Sequence, residues 1–238
     1  MSIMGEPYLS VLIPAYNEGS TLEHVIDAVL KVPEDLEVIL IDDGSKDDTW
    51  RVMESRADGN RVRAIRHDVN RGKGAAIRTG LTHARGEIML VQDADLEYSP
   101  DEYGALLEPF KTGRATVVYG SRSFSSHAAF SYWYVMGNRL VTLFTNVLYN
   151  CYLSDMETCY KVMPLKVARS LDLKARGFEL EPEITAKLLR QGHRIYEVPV
   201  SYTARSREEG KKLTARDGVK AIITLLRYRS WKPTRPPE

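Results

Sequence analysis

The stretch Glu87-Ile88-Met89-Leu90-Val91-Gln92-Asp93-Ala94-Asp95 places a short apolar run directly before two carboxylates that are one residue apart. A run of this length and composition is typical of a buried β-strand. Side chains at positions i and i+2 of an extended segment point the same way, so Asp93 and Asp95 are expected side by side. A bound Mg²⁺ or Mn²⁺, both of which prefer oxygen ligands, would relieve their mutual repulsion. The stretch predicts a strand that ends at a metal site, with Glu97 as a third ligand; a surface turn with a helix cap is the alternative.

Short apolar runs and helical patterns alternate on both sides of this strand. The runs are at residues 9–14, 37–41, 62–66, 87–91 and 115–119, and the helical patterns between them are at residues 22–30, 48–57, 73–84 and 101–111. Pro14 is expected to end the first run, and Ser20 to cap the helix after it. Strands separated by helices indicate right-handed crossovers, and therefore an α/β fold with a mainly parallel central sheet flanked by helices.

The second half of the chain is less regular. It predicts helices at residues 130–153, 181–191 and 215–228, and strands at residues 159–163 and 195–200. No internal repeat or low-complexity linker divides the sequence, so residues 1–230 are expected to form a single domain. Residues 231–238, which are rich in proline, are expected to form a flexible tail.

Polar residues follow the predicted strands at the point where each strand ends. They are Asn17 and Glu18, Asp42 and Asp43, Asp93 and Asp95, and Ser121 and Arg122. Ligands of open α/β sheets bind along this edge, so the sequence predicts one site there. Gly72-Lys73-Gly74 opens the third helix, where free N–H groups and a lysine would favour a phosphate.

Composition narrows the classes of partner and the compartment. Lys and Arg total 33 against 32 for Asp and Glu, a balance that argues against general nucleic-acid binding. The N-terminus lacks the features of an export signal, and no apolar stretch reaches the ~20 residues of a membrane span. We therefore expect a cytoplasmic protein in which Cys151 and Cys159 are free thiols; buried small side chains are the favoured interpretation, with metal ligands as the alternative.

In order and spacing, residues 9–122 resemble the family 2 glycosyltransferases, whose fold is the nucleotide-binding GT-A type. The resemblance implies that the segment from Pro14 to Glu18, together with Asp43, holds the nucleobase and ribose of a nucleotide-sugar donor. It also implies that Asp93 and Asp95 bind a metal ion that reaches the donor diphosphate. The candidate nucleotide-sugar-binding residues are Pro14, Ala15, Tyr16, Glu18, Asp43, Lys73, Asp93 and Ala94.

The later half resembles one branch of that family, the dolichol-phosphate mannosyltransferases and polyprenyl-phosphate glucosyltransferases. The motifs that carry the likeness are Ser121-Arg122, Asn138-Arg139, Asp155-Met156-Glu157-Thr158, Tyr160-Lys161, Phe178-Glu179-Leu180-Glu181-Pro182-Glu183, and Val198-Pro199-Val200-Ser201-Tyr202 with Arg205, Gly210 and Lys211 after it. The resemblance implies an inverting transferase that uses Mg²⁺ or Mn²⁺. It would move a hexose from UDP-glucose or GDP-mannose to a polyprenyl or dolichyl phosphate on the cytoplasmic face of a membrane.

Four residues are the catalytic candidates: Asp95, Arg122, Arg205 and Lys211. Arg122 and Arg139 are the candidates for binding the acceptor phosphate, although Arg139 could equally lie on the solvent face of its helix. Arg205 and Lys211 could close over the leaving diphosphate, because Gly210 would let their loop fold; a solvated charge run is the alternative.

Membrane recruitment without a spanning helix would rest on residues 130–153. This stretch carries Tyr132, Trp133, Tyr134, Phe144 and Tyr149, and aromatic rings favour the bilayer interface. The alternative is that these residues cover the sheet.

Three other functions compete. A glycosyltransferase with a soluble or glycan hydroxyl acceptor would need a general base, for which Glu179 or Glu181 is available unless one of them only caps the helix near Pro182. A sugar-nucleotide nucleotidyltransferase would carry a glycine-rich basic loop after the first strand, where this chain has the acidic Ala15-Tyr16-Asn17-Glu18-Gly19. A non-catalytic nucleotide-binding subunit is disfavoured by the intact carboxylate group and Arg122.

Overall fold

The centre of the structure, a computed structural model that describes residues 6–123, 127–128, 132–204 and 215–233, is a seven-stranded β-sheet. A second sheet has two short strands. The strands of the described residues are β1 (Leu9–Ala15), β2 (Leu36–Asp42), β3 (Val62–Arg66), β4 (Ile88–Val91), β5 (Val118–Ser121), β6 (His127–Ala128), β7 (Lys161–Pro164), β8 (Tyr196–Pro199) and β9 (Tyr202–Thr203).

The strand order of the large sheet is β3-β2-β1-β4-β7-β5-β8. All neighbouring strands pair in parallel except β7, which is antiparallel to both β4 and β5. The prediction of a mainly parallel sheet is therefore confirmed. Because β7 runs in the opposite direction, its first residue, Lys161, lies at the edge where β4 and β5 end.

Helices connect most of these strands. Those of the described residues are α1 (Leu22–Lys31), α2 (Thr49–Arg56), α3 (Lys73–His83), α4 (Tyr103–Lys111), α5 (Tyr132–Tyr149), α6 (Leu165–Ser170), α7 (Leu180–Arg190) and α8 (Ala215–Tyr228). The helix predicted to reach residue 153 ends at Tyr149, because Asn150 has the left-handed backbone (φ 52°) that closes many helices. The six-residue helix α6 was not predicted, since so short a segment shows no helical period.

The core lies between the sheet and the helices that cover it. Every residue of β1 and β2 is buried, as expected for parallel strands covered on both faces. Helix α3 lies so close to the sheet that a Cβ on Gly80 would come within 3.0 Å of Ile41 Cδ1. A second, smaller apolar cluster joins α5, α7 and α8 through Val141, Met156, Ala186, Ala221 and Leu225.

Two local predictions about the first crossover are wrong. Pro14 continues β1 and pairs with Ile41, whereas the pairing of β1 with β4 ends at Leu12. The missing N–H of Pro14 therefore falls where β1 has a neighbouring strand on one side only. The residue that precedes α1 is Thr21 rather than Ser20, and the Thr21 hydroxyl donates a 2.7 Å hydrogen bond to the carbonyl of Ala94 instead of capping the helix.

Across the described ranges, no helix is long and apolar enough to cross a bilayer. Of the predicted tail, residues 234–238 lie outside the described residues. The single-domain boundary at residue 230 stays a prediction.

Candidate active site

The carboxyl ends of β1, β2, β4 and β5 lie along one edge of the large sheet, called the site edge below. The segments after β1 and β2 are joined there by hydrogen bonds. The Asn17 amide donates to Ser45 Oγ at 3.0 Å, and the Glu18 amide donates to Thr49 Oγ1 at 2.9 Å. Asn17 has a positive φ of 56°, which asparagine tolerates better than most residues. These contacts hold Tyr16 and Glu18, both partly exposed, beside the end of β2.

Asp43 is almost fully buried at the end of β2. Its Oδ1 lies 2.8 Å from Nδ1 of His67 and accepts a 2.9 Å hydrogen bond from the Arg71 amide. Its Oδ2 accepts a 2.7 Å hydrogen bond from the Gly72 amide. Asp43 thus supports the loop between β3 and α3. Its predicted contact with the nucleotide stays a prediction.

The glycines of Gly72-Lys73-Gly74 serve packing. Gly72 has a φ of 90°, and a Cβ on either glycine would collide with the backbone of Ala175 and Arg176. The Gly74 amide donates to the Arg176 carbonyl at 2.8 Å, while the Gly72 amide is committed to Asp43. The predicted phosphate cradle of free amides is therefore not supported at either glycine.

The Lys73 side chain, by contrast, reaches the site edge. Its Nζ lies 2.7 Å from Asp93 Oδ1 and 3.6 Å from Glu181 Oε1. Burial by itself would lower the pKa of Lys73, but the surrounding negative groups, led by Asp93, raise that pKa well above its usual value. Lys73 is thus a fixed cation beside a predicted metal ligand.

Asp93 and Asp95, both partly exposed, follow β4 at the site edge as predicted. Glu97 Oε2 accepts a 2.9 Å hydrogen bond from the Tyr202 hydroxyl, so its role as a third ligand stays a prediction. In the parts of the chain that the structure describes, no three His, Cys, Asp or Glu side chains form a metal-binding cluster. Two adjacent carboxylates nevertheless fit Mg²⁺ or Mn²⁺, because these ions are commonly held by one or two carboxylates and by substrate phosphates.

The turn from Asp93 to Tyr98 is anchored from the core side by Gln92, which is fully buried. Gln92 Nε2 donates to the Asp93 carbonyl at 3.0 Å, and Gln92 Oε1 accepts hydrogen bonds from Tyr103 and Tyr160 at 2.9 and 2.7 Å. Because both groups of the amide are satisfied, Gln92 fixes the backbone from which Asp93 and Asp95 project.

Arg122, after β5, forms a bidentate ion pair with Asp155. Its Nε lies 2.6 Å from Asp155 Oδ2 and its Nη2 lies 2.7 Å from Oδ1, while the guanidinium covers the Tyr202 ring at 5.0 Å. Burial by itself would raise the pKa of Asp155, but Arg122 outweighs it and the pKa is lowered. Asn138 donates a further hydrogen bond to Asp155 at 3.0 Å. Sequence analysis placed Arg122 at the site but did not identify its partner.

Lys161 and Glu181 form a second ion pair at the site edge, which the sequence did not predict. Lys161 Nζ lies 2.5 Å from Glu181 Oε2 and also donates to the carbonyls of Met156 and Thr158. All three ammonium protons are thereby used. Glu181, shared between Lys161 and Lys73, connects this pair to Asp93.

Glu157 lies on the same segment, two residues after Asp155. Its Oε1 is inaccessible to solvent and has no hydrogen-bond partner among the described residues. Burial, with a smaller contribution from Glu181, raises the pKa of Glu157 to about 7, against the opposing effect of Lys161. The missing hydrogen-bond partner of Oε1 is what distinguishes Glu157. Sequence analysis could not detect it, because it depends on the folded structure.

The two candidates for a general base have other roles. Glu179 Oε1 accepts hydrogen bonds from the amides of Arg176 and Gly177, both at 3.1 Å. Burial by itself would raise the pKa of Glu179, but these and neighbouring backbone hydrogen bonds lower it. Glu181 is held by two lysines. Neither carboxylate caps α7 through its side chain.

The remaining candidates are not brought together with these groups. Arg139 is exposed on α5. Arg205 and Lys211 lie outside the described residues, so their closing role stays a prediction. The aromatic residues of α5 were expected either to contact a membrane or to pack within the protein, and they divide between the two. Tyr132 and Trp133 are 68% and 80% exposed, whereas Phe144 and Tyr149 pack against the cluster of α5, α7 and α8. The side chain of Tyr134 lies outside the described part.

Comparison of the sequence with known proteins identifies a matching family. The sequence profile described as Glycosyl transferase family 2 matches residues 10–170. The chain is 26% identical over 211 residues to a dolichol-phosphate mannosyltransferase of Pyrococcus furiosus, covering 85% of this chain and 58% of that protein. It is 28% identical over 253 residues to a UDP-N-acetylglucosamine–dolichyl-phosphate N-acetylglucosaminyltransferase of Methanococcus voltae, covering 96% of this chain and 99% of that protein.

Among solved structures, the chain superposes on glucosyl-3-phosphoglycerate synthase from Mycobacterium tuberculosis in complex with phosphoglyceric acid. The TM-score is 0.73 at 22% identity, over 96% of this chain and 82% of that one. The likeness confirms the predicted GT-A fold. Relative lengths differ, since the chain spans 58% of the Pyrococcus protein but almost all of the Methanococcus protein.

Proposed function

Since the chain belongs to glycosyl transferase family 2, we propose that it is a metal-dependent, inverting hexosyltransferase that uses UDP-glucose or GDP-mannose as donor and a polyprenyl or dolichyl phosphate as acceptor. The observation that carries the proposal is the arrangement at the site edge. Asp93 and Asp95 lie there with the fixed cation Lys73, and the buried pair of Arg122 and Asp155 follows β5 at the same edge. The lipid-phosphate acceptors in the names of both relatives support it.

Transfer of the hexose to a phosphate dianion needs no general base, because the attacking oxygen carries no proton. An oxygen of the acceptor phosphate dianion forms a bond to C1 of the hexose while the bond from C1 to the donor diphosphate breaks. One unit of negative charge passes from the acceptor to the leaving nucleoside diphosphate, so charge and atoms balance. Back-side attack on an α-linked donor gives a β product.

The main task of the site is to stabilise the negative charge that builds on the leaving diphosphate. A Mg²⁺ or Mn²⁺ ion held by Asp93 and Asp95 would supply Lewis-acid stabilisation there. Lys73 contributes a second positive charge that burial and two carboxylates hold in place. Gln92 holds the backbone of the turn, so the carboxylates keep their direction when the donor binds.

Arg122 is the acceptor-binding candidate that the geometry supports best. An arginine side chain has five N–H groups, and the pair with Asp155 is made by Nε and Nη2, which leaves the Nη1 amino group outside that pair. A phosphate monoester, already an anion at neutral pH, needs such a donor rather than a base. The commitments of Glu179 and Glu181 weigh against the alternative, a hydroxyl acceptor that depends on either of them.

Membrane contact through α5 and α8 would bring the chain to a lipid acceptor. Exposed apolar side chains on the two helices, called the α5–α8 apolar surface below, are Trp133, Leu140, Leu143 and Val147 on α5 and Val219, Ile223 and Leu226 on α8. Exposed basic residues, among them Arg139, Arg216 and Arg227, accompany them. Apolar helix faces with basic neighbours bind anionic bilayer surfaces. We propose that the enzyme works at the cytoplasmic face of a membrane.

A product assay tests the proposal. The purified protein is incubated with Mg²⁺, a short polyprenyl phosphate and either radiolabelled UDP-glucose or GDP-mannose, and the label is followed into the organic phase. We expect lipid-linked label with one donor and its loss when EDTA is added. Slow metal-dependent hydrolysis of a donor without lipid product would contradict the acceptor and favour a soluble one.

A further inference from the structure

Glu157 is a carboxyl without a cation of its own, and two ion pairs surround it. The charged groups that act on it are Arg122 and Asp155 on one side and Lys161 and Glu181 on the other. Each cation is already paired with the carboxylate of its own pair at 2.5–2.7 Å. The four charges cancel, so an ionised Glu157 would be an additional negative charge in a buried setting.

Neighbouring cations offer Glu157 little relief. Lys161 directs its three protons to Met156, Thr158 and Glu181. Arg122 directs Nε and Nη2 to Asp155. Glu157 Oε1, shut off from solvent, has no partner in the described part of the chain. A carboxyl with one oxygen that receives neither water nor a hydrogen-bond donor is favoured in its protonated form, which carries no charge.

The position of Glu157 relates it to the acceptor rather than to the donor. It shares a segment with Asp155, which holds Arg122, and the residue is partly exposed although one of its oxygens is not. Thr158, next in the chain, lies with its Oγ1 3.5 Å from the hydroxyl of Tyr98, at the end of the turn that carries Asp93 and Asp95. The segment that carries Glu157 therefore runs from Asp155, the partner of Arg122, to Thr158, which lies beside the end of the predicted metal-binding turn.

We propose that Glu157 binds the acceptor phosphate as a neutral acid, donating its O–H to a phosphate oxygen opposite Arg122. This inference rests on the proposed lipid-phosphate acceptor and deepens it. In the protonated form, Glu157 adds a hydrogen-bond donor without adding charge. In the ionised form it would repel the phosphate dianion, so its protonation state sets the affinity for the acceptor. Its proton stays on Glu157 throughout transfer.

The role predicts a pH-dependent KM for the acceptor. With a pKa of about 7, Glu157 is mostly protonated at pH 6.5 and mostly ionised at pH 8.5 in the free enzyme. We expect the acceptor KM of the unchanged protein to rise above pH 7, towards about tenfold per pH unit, while kcat changes little. Glu157→Gln keeps an N–H donor and cannot ionise, so its acceptor KM should stay within about twofold over the same range. Glu108→Gln is the matched control. It removes a carboxylate of α4 that pairs with Arg114 at the surface, and its acceptor KM should change with pH as in the unchanged protein.

Two outcomes for a folded Glu157→Gln protein would overturn the inference. A loss of transfer at every pH would show that the carboxyl of Glu157 has a role that an amide N–H donor cannot replace, which is not the hydrogen bond proposed here. The same rise of acceptor KM as in the unchanged protein would place the titrating group elsewhere. Failure of the unchanged protein to label a polyprenyl phosphate with either donor would instead refute the proposed acceptor, so the two failures are distinguishable.

A second measurement needs no variant. Calorimetric titration of the unchanged protein with a short polyprenyl phosphate at pH 8, in buffers of different ionisation enthalpy, measures protons taken up on binding. Because the dianion favours protonated Glu157, we expect uptake of up to about one proton per phosphate. Binding without proton uptake would overturn the inference even if Glu157→Gln failed to fold.

Discussion

Lys73 Nζ lies 2.7 Å from Asp93 Oδ1, so a lysine that begins α3 neutralises a predicted metal ligand that follows β4. The same ammonium lies 3.6 Å from Glu181 on α7. A divalent cation that binds Asp93 must therefore share this carboxylate with Lys73 or displace it. The proposed donor diphosphate, in contrast, would be stabilised by both cations.

Lys73→Met should separate these two effects. We expect Mn²⁺ alone to bind about three- to tenfold more tightly, because Asp93 loses its competing cation, a change of roughly 0.7–1.4 kcal/mol. The nucleotide-sugar should bind more weakly in the presence of Mn²⁺. Free Mn²⁺ counted by electron paramagnetic resonance measures the first effect, and calorimetry with donor measures the second. Lys31→Met, at the exposed end of α1, is the control; weaker Mn²⁺ binding by Lys73→Met would contradict competition.

Asp95→Asn tests the metal assignment directly. It keeps the size of the side chain and removes the charge that a second oxygen ligand supplies. We expect kcat/KM for transfer to fall by at least about a hundredfold, with little change in melting temperature because Asp95 is partly exposed. Activity is measured over a Mg²⁺ titration. Transfer close to that of the unchanged protein in excess Mg²⁺ would refute the role of Asp95.

Arg122→Ala is expected to weaken use of the lipid phosphate far more than donor binding, but it also leaves Asp155 buried without a cation. Breaking a buried pair from one side costs about 3–5 kcal/mol of folding free energy, so the single change confuses stability with binding. Arg122→Met combined with Asp155→Asn should recover most of the lost stability in urea unfolding. Acceptor KM should stay raised in that double variant. Recovery of acceptor use along with stability would show that Arg122 is structural only.

Much of the proposed donor half of the site was predictable, because its position follows from the order of the strands. Parallel strands bring their carboxyl ends together, so Asp93 and Asp95 could be placed with the ends of β1 and β2 before any coordinates were known. The free amides at Gly72 and Gly74 were not confirmed, because a glycine looks the same in a sequence whether it approaches a phosphate or, as here, the backbone of residues 175 and 176.

The proposed acceptor half of the site was less predictable, because it depends on the direction of one strand, β7. A short apolar run at residues 159–163 predicts a strand but not its orientation. Since β7 is antiparallel, it begins at the site edge with Lys161, and the segment before it, which carries Glu157, enters the sheet from that edge. Pairing of Arg122 with Asp155 joins residues 33 positions apart, and no local pattern encodes it.

Membrane contact predicts a loss of vesicle binding on charge insertion. Val147 on α5 and Ile223 on α8 are 77% and 56% exposed, so Val147→Glu and Ile223→Glu should fold normally. We expect each to reduce co-sedimentation with phosphatidylserine-containing vesicles several-fold, because a carboxylate opposes both burial and the anionic surface. Thr82→Glu on α3 adds the same charge elsewhere and should bind like the unchanged protein. Unaltered binding by both α5 and α8 variants would refute the α5–α8 apolar surface as the contact.

Glu157 should also leave a mark on stability that needs no substrate. Its pKa is about 7 in the folded protein, above its usual value of 4.5, so the folded state holds a proton that the unfolded chain releases at lower pH. The resulting stabilisation is complete below pH ~4.5 and is lost as pH rises to about 7. Glu157→Gln does not titrate, so its free energy of unfolding relative to the unchanged protein should rise between pH 5 and pH 8, by on the order of 1–3 kcal/mol. Urea unfolding at the two pH values measures the difference, and Glu108→Gln controls for loss of a charge. A constant difference would mean that Glu157 is ionised in the folded protein, which would contradict its assignment as a neutral acid.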